Sequence, residues 1–141
     1  MATLIILDTD VLIDYFRGIE SARHYLEALP VTHRKITEIT VMELFKGARN
    51  KKELQQIEQF LLANEFSRMP VTSKASSKAV SLLREYGLSK GLSIPDALIA
   101  AIALEAESEL VSGNKRHFSF IKGLQVIDLP YRQHHSSKRG G

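Results

Sequence analysis

The chain has 141 residues, 44% of them hydrophobic, no cysteine, and a formal net charge of +3. That length suits one domain with one core, and the lack of cysteine excludes a disulfide framework or a thiolate zinc site. No apolar stretch is long enough to cross a membrane, and the apolar run near the start, interrupted by Asp8, does not read as a signal peptide.

The charge excess is local. From Tyr131 to Gly141 there are three basic residues and no acid, which leaves 16 basic and 16 acidic residues before Tyr131. The chain therefore divides into a formally neutral domain over 1–130 and a basic, disordered tail over 131–141. The His134–His135 pair in that tail reads as solvated rather than as a metal tract. A cysteine-free soluble chain of this kind fits a reducing cytoplasm.

Taken in order, "TLIIL" (3–7) is a β-rich apolar run without alternation, the pattern of a strand covered on both faces. A short helix follows over 10–17 and stops at Gly18. A second covers 19–29 and stops at Pro30. "RKITEIT" (34–40) is a short strand, and 41–48 is helical. The 51–64 segment places Leu54, Ile57, Leu61 and Leu62 at helical spacing. "EFSRMPV" holds a short strand. An amphipathic helix over 74–86 ends near Gly87. In "LSIPDALIAAIALEAE", Ser93 caps a helix with Pro95 in its first turn. "ELVSG" and "LQVIDL" supply the last strands. Strands alternating with helices predict an α/β fold, a three-layer α/β/α sandwich around a mostly parallel sheet. Ligands of such sheets bind beyond the carboxyl ends of the strands.

Three acids lie where strands give way to helices: Asp8, Glu43 and Asp96. Each alone has a structural explanation. Thr40-x-x-Glu43 and Ser93-x-x-Asp96 fit capping boxes, and Asp8, Thr9 or Asp10 suits an N-cap. Convergence changes the balance. Three carboxylates meeting at one sheet edge repel one another unless protons or cations compensate. A hard divalent cation such as Mg²⁺ takes carboxylate oxygen and keeps waters for chemistry.

Four blocks together resemble the PIN-domain ribonucleases, specifically the VapC-type toxins of toxin–antitoxin pairs. "LDTDVLIDYFRG" resembles the opening strand and first acid, and "TEITVMELFKGA" the segment with the central glutamate. "SIPDALIAAIAL" resembles the helix of the third acid, and "LVSGNKRHFSFIKGLQVI" the closing strand and its asparagine. The blocks span Leu4 to about Ile127. The resemblance implies a PIN-like fold, with Asp8, Glu43 and Asp96 as metal ligands and these plus Asn114 as the catalytic set. A family acid often stands three residues after the asparagine. Here that position is His117, which suits Mn²⁺ better than Mg²⁺ and is equally well read as a surface or capping residue. Asp10 is a candidate for supporting charge near the site.

The implied activity is Mg²⁺-dependent endoribonuclease cleavage, with Mn²⁺ as the alternative ion. Water attacks the phosphodiester and leaves a 5′-phosphate and a 3′-hydroxyl. Lys46, Arg49, Lys51, Lys52, Lys115 and Arg116 are candidates for a basic rim that guides RNA past the acids. The implied partners are RNA, a small VapB-like antitoxin and a second copy of the chain. The exposed sides of the 18–29 and 51–66 helices are candidate docking surfaces for the antitoxin. Three rivals carry less of the sequence, among them a phospho-receiver domain, which needs adjacent acids after the first strand and another Asp ending the third, and neither is evident here. A haloacid-dehalogenase-type phosphatase also opens with Asp-x-Asp, but Val11-Leu12 follow here instead of Gly-Thr. A PIN-fold binding subunit without catalysis is suggested by His117, against which stand the three acids.

Overall fold

A computed structural model describes residues 4–132. The nine tail residues 133–141, with the His134–His135 pair, lie outside the described residues, as do residues 1–3. The strands are β1 (Ile5–Leu7), β2 (Lys35–Thr37), β3 (Ser67–Met69), β4 (Glu109–Val111) and β5 (Val126–Ile127). The helices are α1 (Thr9–Phe16), α2 (Glu20–Ala28), α3 (Glu38–Lys46), α4 (Lys51–Ala63), α5 (Ser73–Lys90) and α6 (Ile94–Glu105).

Every strand pairing is parallel. One ladder runs β1-β4-β5, with Ile6 opposite Leu110 and Leu110 opposite Val126. A second pairs β2 with β3, with Ile36 opposite Arg68. β2 packs beside β1 without a ladder between them, so the expected single sheet is two hydrogen-bonded pieces in one layer.

The side-chain period of two explains the apolar strands. Ile6 and Leu110 point into one core with Leu82, Ile99 and Phe118, on the side of α5 and α6. Their neighbours Leu7 and Val111 point into the other core with Leu12, Leu26, Ile36, Leu44 and Leu129. Both faces are therefore covered, and an α/β/α sandwich results.

The helix ends follow local chemistry. Asn50, Thr72 and Ser93 cap α4, α5 and α6, each accepting a backbone N–H three residues on. Two boundaries differ from the sequence expectation. α5 continues through Gly87 and stops at Gly91, whose φ of +69° is the left-handed conformation that suits glycine. The β2 strand stops at Thr37, and that residue, not Thr40, caps α3 by accepting the Thr40 N–H at 3.2 Å. A third difference is at the end of the domain. Tyr131 and Arg132, placed in the tail by composition, form a 3₁₀ turn with Pro130 and bond to Asp14 on α1.

Candidate active site

Asp8 is the residue between β1 and α1. Its backbone N–H still belongs to the sheet and donates to the Val111 carbonyl at 2.9 Å. Its side chain already serves the helix, Oδ1 accepting the Thr9 N–H at 2.8 Å. Its other oxygen, Oδ2, accepts from the Ser112 hydroxyl at 2.8 Å, just beyond β4. The parallel β1–β4 register therefore brings residue 112 to residue 8. The capping reading of Asp8 is correct, and it leaves the carboxylate in the site.

Glu43 lies in the middle of α3 rather than at its start, which corrects the expectation from Thr40-x-x-Glu43. It reaches the site through Thr9, whose hydroxyl bonds Glu43 Oε1 at 2.5 Å and lies 3.0 Å from the Thr40 hydroxyl. Thr9 and Thr40 are buried while Glu43 is exposed, so two hydroxyls aim a carboxylate that has access to solvent.

Asp96 occupies the first turn of α6, its N–H bonded to the Ser93 hydroxyl at 3.2 Å. Elements remote in sequence thus bring Asp96 within range of the charges of Asp8 and Glu43. Burial raises the Asp96 carboxyl above the usual range, the Asp8 charge raises it further, and Glu43 adds to the effect. Burial also raises Asp8, against the hydrogen bonds from Ser112 and the Thr9 amide. His117 stands in this group, on the 3₁₀ turn Lys115–His117, with Nδ1 3.6 Å from Asp96 Oδ2. Asn114 precedes that turn. It is exposed, and its backbone N–H donates to the Ser112 hydroxyl at 2.9 Å.

Two acids of the opening motif are used differently. Asp10 Oδ2 accepts the Gly113 N–H at 2.7 Å, and Oδ1 is buried without a partner among the described residues. Burial and the neighbouring Asp8 charge push the Asp10 carboxyl up to about 6. Asp14 is 1% exposed. It is held by Arg132 and Tyr131, a contact that sequence reading missed because residues 14 and 132 carry no shared spacing signal.

The donor set fits an oxygen-seeking divalent ion. Asp8 and Asp96 supply carboxylates whose proton affinity is raised first by burial and, for Asp96, also by the Asp8 charge, so a nearby cation would favour their charged forms. Among the described residues, no three or more His, Asp or Glu side chains form a ready metal shell. Mg²⁺ does not need one, since one or two carboxylates and several waters suffice. The candidate rim is also exposed: Lys46, Arg49, Lys51, Lys52, Lys115 and Arg116 all face solvent. Arg49 forms an exposed ion pair with Glu53 at 2.6 Å.

A cleft of about 570 Å³ opens between α1, α3 and α4, lined by Ile13, Phe16, Leu44 and Ile57 among others, with Glu43 at its edge.

The chain matches the model of the PIN domain over residues 5–123. It is 32% identical over 123 residues to Ribonuclease VapC19 of Mycobacterium tuberculosis, covering 85% of this chain and 96% of that protein. It is 30% identical over 128 residues to Ribonuclease VapC10 of the same organism, covering 86% of this chain and 91% of that protein. Among solved structures, a toxin–antitoxin complex from Klebsiella pneumoniae aligns with a TM-score of 0.69 and 32% identity, covering 87% of this chain and 95% of that one.

Proposed function

The chain belongs to the PIN-domain family, and on that premise we propose that it is a VapC-type endoribonuclease toxin neutralised by a cognate VapB-like antitoxin. The observation that carries the reading is that Asp8, just beyond β1, is bonded to Ser112 just beyond the parallel β4, while its neighbour Thr9 holds Glu43 and Asp96 feels the Asp8 charge. Stability alone does not call for a buried carboxylate at Asp8, since an uncompensated buried charge destabilises a fold.

Asp8 and Asp96 would hold Mg²⁺, with Mn²⁺ as the alternative. The bound ion supplies charge against the phosphodiester and lowers the pKa of water. Ser112 and the Thr9 amide keep Asp8 oriented toward the site. Glu43, aimed by the Thr9 hydroxyl, orients the attacking water and accepts its proton. His117 stands 3.6 Å from Asp96, and Asn114, three residues before it, would orient a metal-bound water. Lys46, Lys115 and Arg116 guide the RNA backbone across an edge that would otherwise repel it. The products are a 5′-phosphate and a 3′-hydroxyl.

The cleft is lined by the apolar Ile13, Phe16, Leu44 and Ile57, with Arg17, Arg49, Glu43 and Glu53 among its charged residues, a mixture that suits an amphipathic antitoxin segment whose cation meets Glu43. α4 lines this cleft and α2 does not. Of the two helices expected to form the docking surface, the reading keeps α4. A second copy of the chain and a cytoplasmic location complete the proposal. No helix of the described residues is long and apolar enough to cross a membrane.

The test is to sequence RNA ends after brief expression, with Asp8→Asn as control, and to repeat the cleavage in vitro with Mg²⁺, Mn²⁺ or chelator. The expected result is new 5′-phosphate ends in wild type alone, lost on chelation. Equal cleavage by folded Asp8→Asn would overturn the assignment.

A further inference from the structure

We propose that the Pro130–Arg132 turn is a positioning clamp, in which Arg132 holds Asp14 and Asp10 so that the loop after β4 presents Ser112 to Asp8. The inference rests on the reading of Asp8 as the centre of the site.

The contacts form a continuous chain. Arg132 grips Asp14 with two prongs, Nη2 to Oδ1 at 2.8 Å and Nε to Oδ2 at 3.0 Å, and the Tyr131 hydroxyl donates to Oδ2 at 2.9 Å. The remaining guanidinium nitrogen, Nη1, lies 3.9 Å from Asp10 Oδ2. That same oxygen accepts the Gly113 N–H at 2.7 Å. Gly113 is covalently next to Ser112, whose hydroxyl reaches Asp8 and receives the Asn114 N–H. The fit at Gly113 is tight. A Cβ there would come within 2.5 Å of both Arg132 Nη1 and Asp10 Oδ2, so any larger residue would displace the clamp's own side chains.

Stability alone is a poor reason for this arrangement. A buried ion pair is often no better than apolar side chains of similar volume. The guanidinium instead bonds Asp14 with two prongs and sets its third nitrogen 3.9 Å from Asp10, a fixed planar geometry that lysine cannot reproduce. It assigns Asp10 and Asp14 an internal cation and leaves Asp8 and Asp96 for an external one. Groups that orient metal-binding side chains in this way typically change affinity or activity by about 10- to 100-fold when removed.

The test compares wild type, Arg132→Gln and Arg132→Lys in metal-free form by amide hydrogen exchange, followed by calorimetric titration with Mn²⁺. The Gly113 and Asn114 N–H groups are expected to exchange roughly tenfold faster in both variants, while the Leu110 N–H, bonded in the sheet to Gln125, keeps its rate. Mn²⁺ binding is expected to weaken about tenfold, with no rescue by lysine. Unchanged exchange at Gly113, or equal acceleration at all three amides, overturns the clamp, because the second pattern reports only lost global stability. If Arg132→Gln does not fold, the Asp14→Leu/Arg132→Met double variant takes its place with the same two outcomes. If wild type binds no Mn²⁺, the metal reading fails, and the exchange at Gly113 still decides the clamp.

Discussion

At the scale of single residues, the site shows how one carboxylate can serve two demands. Asp8 caps α1 with one oxygen and turns the other toward Ser112 and the acid cluster. Asp10, two residues on, is buried beside it and carries a destabilising charge. Its carboxyl takes up a proton more readily in the fold, at about 6, than at its ordinary 3.8. The folded state therefore binds more protons between these values, and stability falls as pH rises through that window. Asp10→Asn removes this penalty while keeping an oxygen for the Gly113 amide. In metal-free protein, its stability relative to wild type is expected to rise between about pH 4 and pH 6, by no more than about 3 kcal/mol. Urea denaturation at several pH values measures it. A difference that stays constant across the window would show that the Asp10 charge is compensated.

At the scale of elements, α3 is the part whose local chemistry most directly sets the site. Its N-cap Thr37 is fully buried and accepts the Thr40 amide. Thr40 and Thr9 then share a hydroxyl contact, and Thr9 holds Glu43. Thr37→Ala is expected to lower stability by about 1 kcal/mol, with an unchanged dependence on denaturant concentration, and Thr37→Ser to recover most of it. A cap worth this little shifts the urea midpoint measurably without disturbing the strands. An effect of several kcal/mol would mean that the Thr37 hydroxyl supports more than the helix start.

At the scale of the molecule, the contacts of Tyr131 and Arg132 with Asp14 lead us to propose a domain boundary after Arg132 rather than at 130. Removing one partner of a pair and leaving a buried charge typically costs about 3–5 kcal/mol, and Asp14 is buried while its partners Tyr131 and Arg132 are half-buried. A chain ending at Leu129 is therefore expected to melt about 10 °C or more below the full chain. One ending at Gln133 is expected to melt with it. Thermal denaturation of the two truncations decides between a boundary at 130 and one after Arg132. Divalent ions supply a second global readout, because a ligand that binds only the folded state raises its stability. Mn²⁺ is expected to raise the melting temperature of wild type by several degrees and to leave Asp8→Asn unmoved.

What the sequence determined by itself was whatever depends on neighbours along the chain. The unbroken apolar run at 4–7 announced a strand covered on both faces, and Ser93 and Pro95 announced the start of α6. The order of the four motif blocks was enough to indicate the family. Local spacing misled where the competing signals were also local: Thr37 and Thr40 are both plausible caps, and Gly87 and Gly91 are both plausible stops. Only the packed fold chose between them. The electrostatic meeting of Asp8, Glu43 and Asp96, and above all the grip of Arg132 on Asp14 and Asp10, were decided in three dimensions. The parallel register of β1 and β4 sets which residues beyond their ends face each other, and an ion pair spanning 118 positions leaves no periodic trace in the chain.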